Sequence, residues 1–342
     1  MRIKTSYFET TNKCNLTCTT CYNRSRKNSE QKEISQKQLK SSIKLLSTYG
    51  LQRLLISGGE PTLHTEFNNI LDLVDEHPEI SFGIATNGTN PNKKLIDMLN
   101  TRSNLTLQVS LDGSNEEQNS KTRGIGNFKK AISFIKQIHT SAVQPLLKMV
   151  ISQNNYDDIE SFYKLALSVG FIPEFAFIYK FGNGSDNWEN KGLSAQQKLK
   201  ALKLIDKLNH EYNATAFLPL CTTKCPFVDS FENLSLCIKV DGSIQPCQSL
   251  YDSAYSLGNI FRFKENNILK RLNYISSLAQ KHFSTDYNCD KCLLKEGCGK
   301  GCMAMAVNLH DDPLSDDGDC QFRKLQFLEY NLKGSVSKSH EE

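Results

Sequence analysis

Three cysteines, Cys14, Cys18 and Cys21, follow one another as CxxxCxxC directly after the mixed apolar and polar run Ile3 to Thr10. Thiolates are soft ligands, and three on one short loop can hold three irons of a 4Fe-4S cube, which leaves the fourth iron open to a ligand. An open iron is a reactive position, so the spacing points to chemistry rather than to a structural staple. A second constellation lies far downstream, Cys289-x2-Cys292-x5-Cys298-x3-Cys302, with Cys320 beyond it. Upstream of that run, Cys237 and Cys247 flank Asp241-Gly242, which reads as a hairpin with one thiol in each arm. Taken by ligand chemistry alone, this second set reads equally well as a pair of structural zinc sites, since CxxC knuckles favour tetrahedral zinc.

Between the two cysteine sets stand four short polar motifs: Ser57-Gly58-Gly59-Glu60-Pro61, Thr86-Asn87-Gly88, Ser110-Leu111-Asp112-Gly113 and Arg123-Gly124-Ile125-Gly126. Each alone reads as a turn. Together they offer two glycines for close backbone approach, a carboxylate for an ammonium group, small hydroxyl and amide groups, and a guanidinium for a carboxylate. That set suits one polar ligand.

Elements that would position these groups follow from periodicity. Short apolar runs near Tyr7 to Thr10, Arg53 to Ser57, Ser81 to Thr86, Leu105 to Ser110, Leu146 to Ile151 and Phe175 to Tyr179 read as strands. Segments of helical period alternate with them: Ser35 to Tyr49, Phe67 to His77, Lys93 to Leu99, Phe128 to Ile138, Tyr156 to Val169 and Ala195 to Tyr212. Six strand-helix units predict a parallel α/β sheet with right-handed crossovers, a partial (β/α)6 barrel of the TIM type. Its reactive groups belong on the loops after the strands, which is where every motif above falls. Gly182-Asn183-Gly184-Ser185 reads as a flexible polar loop. After Tyr212 the rhythm stops, and nine of the twelve cysteines lie from Cys221 to Cys320 in a small, irregular region that needs metal ligation to hold it. The expected organisation is therefore a barrel over 1–212, a cysteine-rich domain over 213–330 and a disordered polar tail over 331–342.

The totals agree. Lys and Arg number 41 against 37 Asp and Glu, so no nucleic-acid or anionic-membrane partner is predicted. No signal peptide or membrane-spanning run is present in the sequence, and cysteines without a secretory context point to a reducing, cytoplasmic location.

The order of these motifs resembles the radical S-adenosylmethionine (SAM) enzyme family. That resemblance implies that Cys14, Cys18 and Cys21 ligate a 4Fe-4S cluster, that Gly58, Gly59 and Glu60 meet the methionine amino group, that Ser110 and Asp112 face the ribose, and that Arg123 meets the carboxylate. Thr86 and Asn87 join the same cofactor site. Thr20 departs from the family, where an aromatic residue is frequent before the third cysteine, and Tyr22 just after it either covers the adenine or does not. The downstream set resembles the SPASM extension, which implies two auxiliary clusters. Cys289, Cys292, Cys298 and Cys320 then hold the farther cluster, and Cys247 and Cys302 the nearer one, completed by Cys225 and Cys237, with Cys221 as spare or substitute.

Families with that extension mostly modify ribosomal peptides, so a peptide substrate is expected, with a flavodoxin or ferredoxin as electron donor. The first strand begins near the start of the sequence, which leaves leader recognition to a separate protein or to direct binding. Chemistry on a small molecule such as a tetrapyrrole is the alternative. Formylglycine formation loses ground because Gln248 follows Cys247 where sulfatase-maturing relatives have an aspartate base. A non-catalytic iron-sulfur or zinc protein has no use for Gly58 to Glu60 or Arg123. His64, Trp188 and the acidic run Asp311, Asp312, Asp316, Asp317 and Asp319 read as a satisfied loop histidine, a packed tryptophan and a solvated turn.

Overall fold

The computed structural model describes residues 1–24, 30–139, 143–186, 188–219, 225–228, 230–284, 289, 291–292, 294 and 298–331. Six parallel strands form the barrel portion: β1 (Ile3–Thr11), β2 (Arg53–Gly58), β3 (Ser81–Thr86), β4 (Leu105–Ser110), β5 (Leu146–Ile151) and β6 (Ile172–Phe177). They lie in the order β6-β5-β4-β3-β2-β1. Helices α1 (Gln36–Ser47), α2 (Phe67–Glu76), α3 (Lys93–Leu99), α4 (Glu116–Arg123), α5 (Asn127–Ile135), α6 (Ile159–Ser168) and α7 (Ala195–Tyr212) accompany them. The expected partial barrel is present.

Local chemistry explains the helix ends. Ser35 and Gln38 close a capping box at the start of α1, and Ser194 and Gln197 do the same for α7. On α1 the residues Leu39, Ile43 and Leu46 make the buried stripe. Helix α4 escaped the periodic reading because only the polar Asn119 and Thr122 on it are buried, so it has no apolar stripe to detect. Strand β6 starts at Ile172, three residues earlier than its apolar core suggested, since Glu174 interrupts the pattern.

Strict alternation governs β4, β5 and β6. One face, with Leu107, Val109, Leu147, Met149, Ile151 and Phe175, is buried. The other face carries Gln108, Ser110, Lys148, Glu174 and Ala176 and lines a cavity of about 510 Å³ inside the barrel. A TIM-type interior is ordinarily filled by apolar side chains. Here apolar side chains such as Leu55, Leu146 and Val150 share it with the polar Gln108, Ser110, Lys148 and Glu174.

Strand β7 (Leu234–Ile238) pairs parallel with β1, Tyr7 opposite Cys237, and carries the hairpin partners β8 (Ser243–Gln245) and β9 (Gly258–Asn259) into the same nine-stranded sheet. The expected hairpin therefore exists, but Cys237 faces Gln245 across it, and Cys247 lies two residues past the second arm. Among the described residues the cysteine-rich region also holds three helices, α8 (Glu265–Ser284), α9 (Met303–His310) and α10 (Cys320–Asn331). Helix α8 buries Ile268, Leu272, Ile275 and Ala279, a helical spacing that the cysteine pattern had overshadowed. Cys221 and the tail 332–342 lie outside the described residues.

Candidate active site

The loop bearing Cys14, Cys18 and Cys21 leaves the end of β1 and is gripped from three sides. At the end of β2, Gly59 N–H donates to Thr11 O at 2.7 Å and Glu60 N–H to Lys13 O at 2.7 Å. A Cβ on Gly58 would stand 2.2 Å from Thr11 O, and one on Gly59 2.1 Å from Lys13 O. The two glycines thus let one backbone lie against another, so the close approach they permit is to the cysteine loop itself. On the β6 side, Asn183 N–H donates to Cys21 O at 2.7 Å, its Nδ2 donates to Cys18 O at 2.9 Å, and Lys191 Nζ donates to Thr19 O at 3.0 Å. A Cβ on Gly182 would meet Cys21 O at 2.3 Å. The Gly182 to Ser185 segment, expected to be a flexible loop, is a 3-10 turn clamped onto the cysteines. The third hold is Thr19 N–H to Thr122 O at 2.9 Å, at the end of α4.

All three thiols are half-buried and line the barrel cavity, together with Gly58, Gly59, Glu60, Thr86, Asn87, Ser110 and Arg123. Burial pushes the Cys14 thiol up to about 11 and that of Cys18 to about 12, opposed in both by the Arg123 guanidinium. Without metal Cys14 and Cys18 hold their protons, and an iron cluster would displace them on binding. The donor set, three thiols around one cavity with a guanidinium beside them, fits a three-cysteine cluster.

Glu60 serves the frame as well as the cavity. Its Oε1 accepts from Thr62 N–H at 3.2 Å, Thr62 Oγ1 at 2.7 Å and Thr86 Oγ1 at 2.6 Å, and its Oε2 accepts from Asn87 N–H at 2.7 Å. Three of these bonds crowd Oε1 and one falls on Oε2. Glu60 thus ties the end of β2 to that of β3, while Oε2, with Asn87 N–H as its one donor among the described residues, keeps acceptor capacity beside the cavity that Gly58 and Gly59 also line. Asn87 continues the frame, its Nδ2 donating to Asn15 Oδ1 within the cysteine loop at 2.9 Å.

Asp112 does not face the cavity as expected. Its side chain is fully buried, with Oδ1 accepting from Val150 N–H at 2.9 Å and Oδ2 2.9 Å from Arg123 Nε. The reason is geometric: Ser110 ends β4 on the inward face, and the chain then turns so that Asp112 tucks beneath β5. Asp112 instead aims Arg123, whose Nη1 lies 4.0 Å from Cys18 Sγ.

Residues 8–166 match the model described as the Radical SAM superfamily. These residues are a radical SAM domain. Mycofactocin maturase MftC of Mycolicibacterium smegmatis is 25% identical over 306 residues, covering 87% of this chain and 77% of that protein. The antilisterial bacteriocin subtilosin biosynthesis protein AlbA of Bacillus subtilis is 27% identical, covering 88% and 67%. Fe-coproporphyrin III synthase of Methanosarcina barkeri is 25% identical, covering 94% and 88%. The fold matches the solved structure "Native anSMEcpe with bound AdoMet and Kp18Cys peptide" with a TM-score of 0.76 at 20% identity, covering 98% of both chains.

Beyond the radical SAM domain the remaining cysteines fall into groups. Cys225, Cys247 and Cys302 are close enough to raise one another's thiols, which burial already pushes up to about 11, 11 and 12. Cys237 is fully buried in β7, where Glu9 and Cys247 act on it. Cys320 feels Cys298 and Cys289, and Cys292 N–H bonds back to Cys289 O at 2.9 Å. Among the described residues no three His, Cys, Asp or Glu side chains converge tightly enough to hold a single metal ion.

Several participants gave no motif. Glu9, on β1, is buried and accepts from Tyr22 Oη at 3.0 Å and Tyr251 Oη at 2.7 Å, joining the radical SAM loop to the hairpin region. Tyr22 therefore spends its hydroxyl on Glu9, with its ring edge-on to Phe181 and Tyr251. Gln248 lines the same cavity as the three thiols. The bland reading of His64 stands: Nδ1 accepts from Glu66 N–H at 2.9 Å and Nε2 meets Ile34 O at 2.9 Å. Trp188 packs against Gly192. The acidic run is only partly a solvated turn, because Asp317 and Asp319 are buried and pair with Arg323 and Lys198.

Proposed function

We propose that this chain is a peptide-modifying radical SAM enzyme carrying three 4Fe-4S clusters. Bound S-adenosylmethionine supplies, on one-electron reduction, methionine and a 5'-deoxyadenosyl radical that takes a hydrogen atom from the substrate. Cys14, Cys18 and Cys21 hold the first cluster. Gly58, Gly59 and Glu60 receive the amino group, Ser110 the ribose, and Arg123, steadied by Asp112, the carboxylate. Residues 1–212 form this catalytic unit, 213–330 the auxiliary-cluster unit and 331–342 a tail. Cys225, Cys237, Cys247 and Cys302 serve the nearer auxiliary cluster, and Cys289, Cys292, Cys298 and Cys320 the farther one. A flavodoxin or ferredoxin delivers the electron in the cytoplasm.

The observation that carries this reading is the shared cavity: three thiols, the strand-end loops and Gln248 from beside Cys247 all line it. A group held there meets both the radical and the auxiliary unit. Support for a peptide comes from MftC, named a maturase, from AlbA, named for bacteriocin biosynthesis, and from the bound peptide of anSMEcpe. Gln248 offers no carboxylate base, so formylglycine formation is disfavoured. A tetrapyrrole substrate is the second reading, favoured by the similarity to Fe-coproporphyrin III synthase along 94% of this chain.

The test is to reconstitute the protein anaerobically, reduce it, and incubate it with SAM and the peptide encoded beside its gene. A mass change in the peptide with formation of 5'-deoxyadenosine is expected. SAM cleavage with an unchanged peptide, together with a decarboxylated or otherwise altered porphyrin in a parallel incubation supplied with one, would replace this reading by the second.

A further inference from the structure

The barrel interior holds an ion pair that no motif announced. Ser110 on β4 stands beside Lys148 on β5, and Lys148 beside Glu174 on β6, so the three form one rung across adjacent strands. Alternation turns all three inward, and all three line the cavity with the cysteine thiols. Lys148 Nζ donates to Glu174 Oε1 at 2.8 Å, with side chains 28% and 19% exposed. Glu174 Oε2 is covered and has no hydrogen-bond partner.

Such a pair is costly to keep. Charges drawn out of water recover little more than their desolvation, and apolar residues of similar volume would commonly serve stability as well or better. Barrels of this type fill their interior with branched apolar layers. A polar rung at the depth of Ser110, where the ribose is proposed to sit, is the convergent polar set expected of a ligand subsite. It lies beside the place where a substrate hydrogen must come to the 5' carbon.

We propose that Lys148 and Glu174 form the subsite that receives a carboxamide of the substrate, a backbone peptide group or an Asn or Gln side chain, and so positions the reacting residue. An ammonium has three donors, of which Glu174 takes one, and the free carboxylate oxygen needs a donor. Donor and acceptor rise side by side from neighbouring strands, whose backbones run about 4.8 Å apart. A carboxamide presents the complement, a carbonyl oxygen and an N–H on one planar group. The rung is net neutral, so a neutral polar group matches it better than a free carboxylate, which would engage Lys148 alone.

This inference rests on the peptide reading, and its test separates the two. The intact, cluster-loaded protein with bound SAM is titrated into the fluorescently labelled peptide encoded beside its gene, using wild type, Lys148→Met, Glu174→Met and the double variant. SAM affinity is measured in parallel by equilibrium dialysis. Each single variant is expected to weaken the peptide at least tenfold, the double no more than the worse single, with SAM affinity within twofold. The ratio of 5'-deoxyadenosine formed to peptide modified should rise in the variants, because a poorly positioned substrate lets the radical be quenched. A tenfold loss of SAM affinity would assign the pair to the cofactor and overturn the proposal. So would unchanged peptide binding with a lowered melting temperature, the mark of a structural brace, or weakening by Lys148→Met alone, the mark of a carboxylate. Failure of the wild type to bind the peptide would remove the peptide reading and this one with it, whereas binding that all variants retain removes only this one.

Discussion

Arg123 and Asp112 show what a residue's neighbours decide. A Ser-x-Asp-Gly motif marks a strand end, and both Ser110 and Asp112 could be placed there by inspection; which of them meets the cavity depends on a turn that only packing sets. Asp112 is fully buried under Arg123. Its replacement by Ala leaves a buried guanidinium without its partner, which costs about 3–5 kcal/mol. Urea unfolding of the metal-free protein should show that loss, and Asp112→Ala should also weaken SAM because Arg123 is no longer aimed. Glu9 gave no sign in the sequence, since one acid in a strand of mixed residues carries no pattern. In the fold, burial holds its carboxyl above the ordinary 4.5 despite bonds from Tyr251, Tyr22 and Asn23. The native state then keeps this proton more tightly than the unfolded chain does, so its contribution is full below about 4.5 and is lost as pH rises through the native value. Unfolding midpoints of the metal-free protein measured upward from that pH should decline, and Glu9→Gln should flatten the decline. An equal decline in the variant would place its origin elsewhere.

At the scale of elements, the strand-helix alternation was readable because each unit repeats one pattern: a short apolar run, then a stripe at helical spacing. Helix α4 was not, because its buried positions are polar, and neither was the clamp after β6, because Gly-Asn-Gly-Ser carries the composition of any loop. What makes that segment a clamp is a backbone approach of a few ångströms to Cys21 and Tyr22, a long-range contact without local signature. Gly182, at φ +58°, and Gly59 therefore belong to one device on opposite sides of the cysteine loop. Adding a methyl at Gly59 would place Cβ 2.1 Å from Lys13 O, backbone that can move only by displacing Cys14. Gly59→Ala and Gly182→Ala should each lower bound iron by about four per chain and SAM cleavage at least tenfold, while the far-ultraviolet circular dichroism of the barrel stays. Full iron content in either variant would show that the loop tolerates the shift.

For the whole molecule, the cysteine counts pointed to two units, and the structure joins them through one sheet, because β7 pairs with β1. A parallel neighbour more than 220 residues away leaves no trace in composition. A second join lies at the far end of the chain. Lys198 of α7 is buried in an ion pair with Asp319 and lies 5.3 Å from the centroid of the Tyr179 ring. Asp319 directly precedes Cys320 at the start of α10, so this pair sets where that thiol stands. Lys198→Met leaves a buried carboxylate unpaired, at a cost of about 3–5 kcal/mol, and the strain is relieved most easily by releasing α10 from the barrel. If Cys320 holds the farther auxiliary cluster, the variant should lose about four of about twelve irons on anaerobic reconstitution while SAM cleavage, which needs only the first cluster, persists. The Cys14/Cys18/Cys21→Ala variant should lose a similar number and all cleavage. The two losses together would separate the clusters by function. Iron unchanged in Lys198→Met would mean that the C-terminal helix keeps its place without the pair, and zinc in place of iron in the wild type would remove the three-cluster reading altogether.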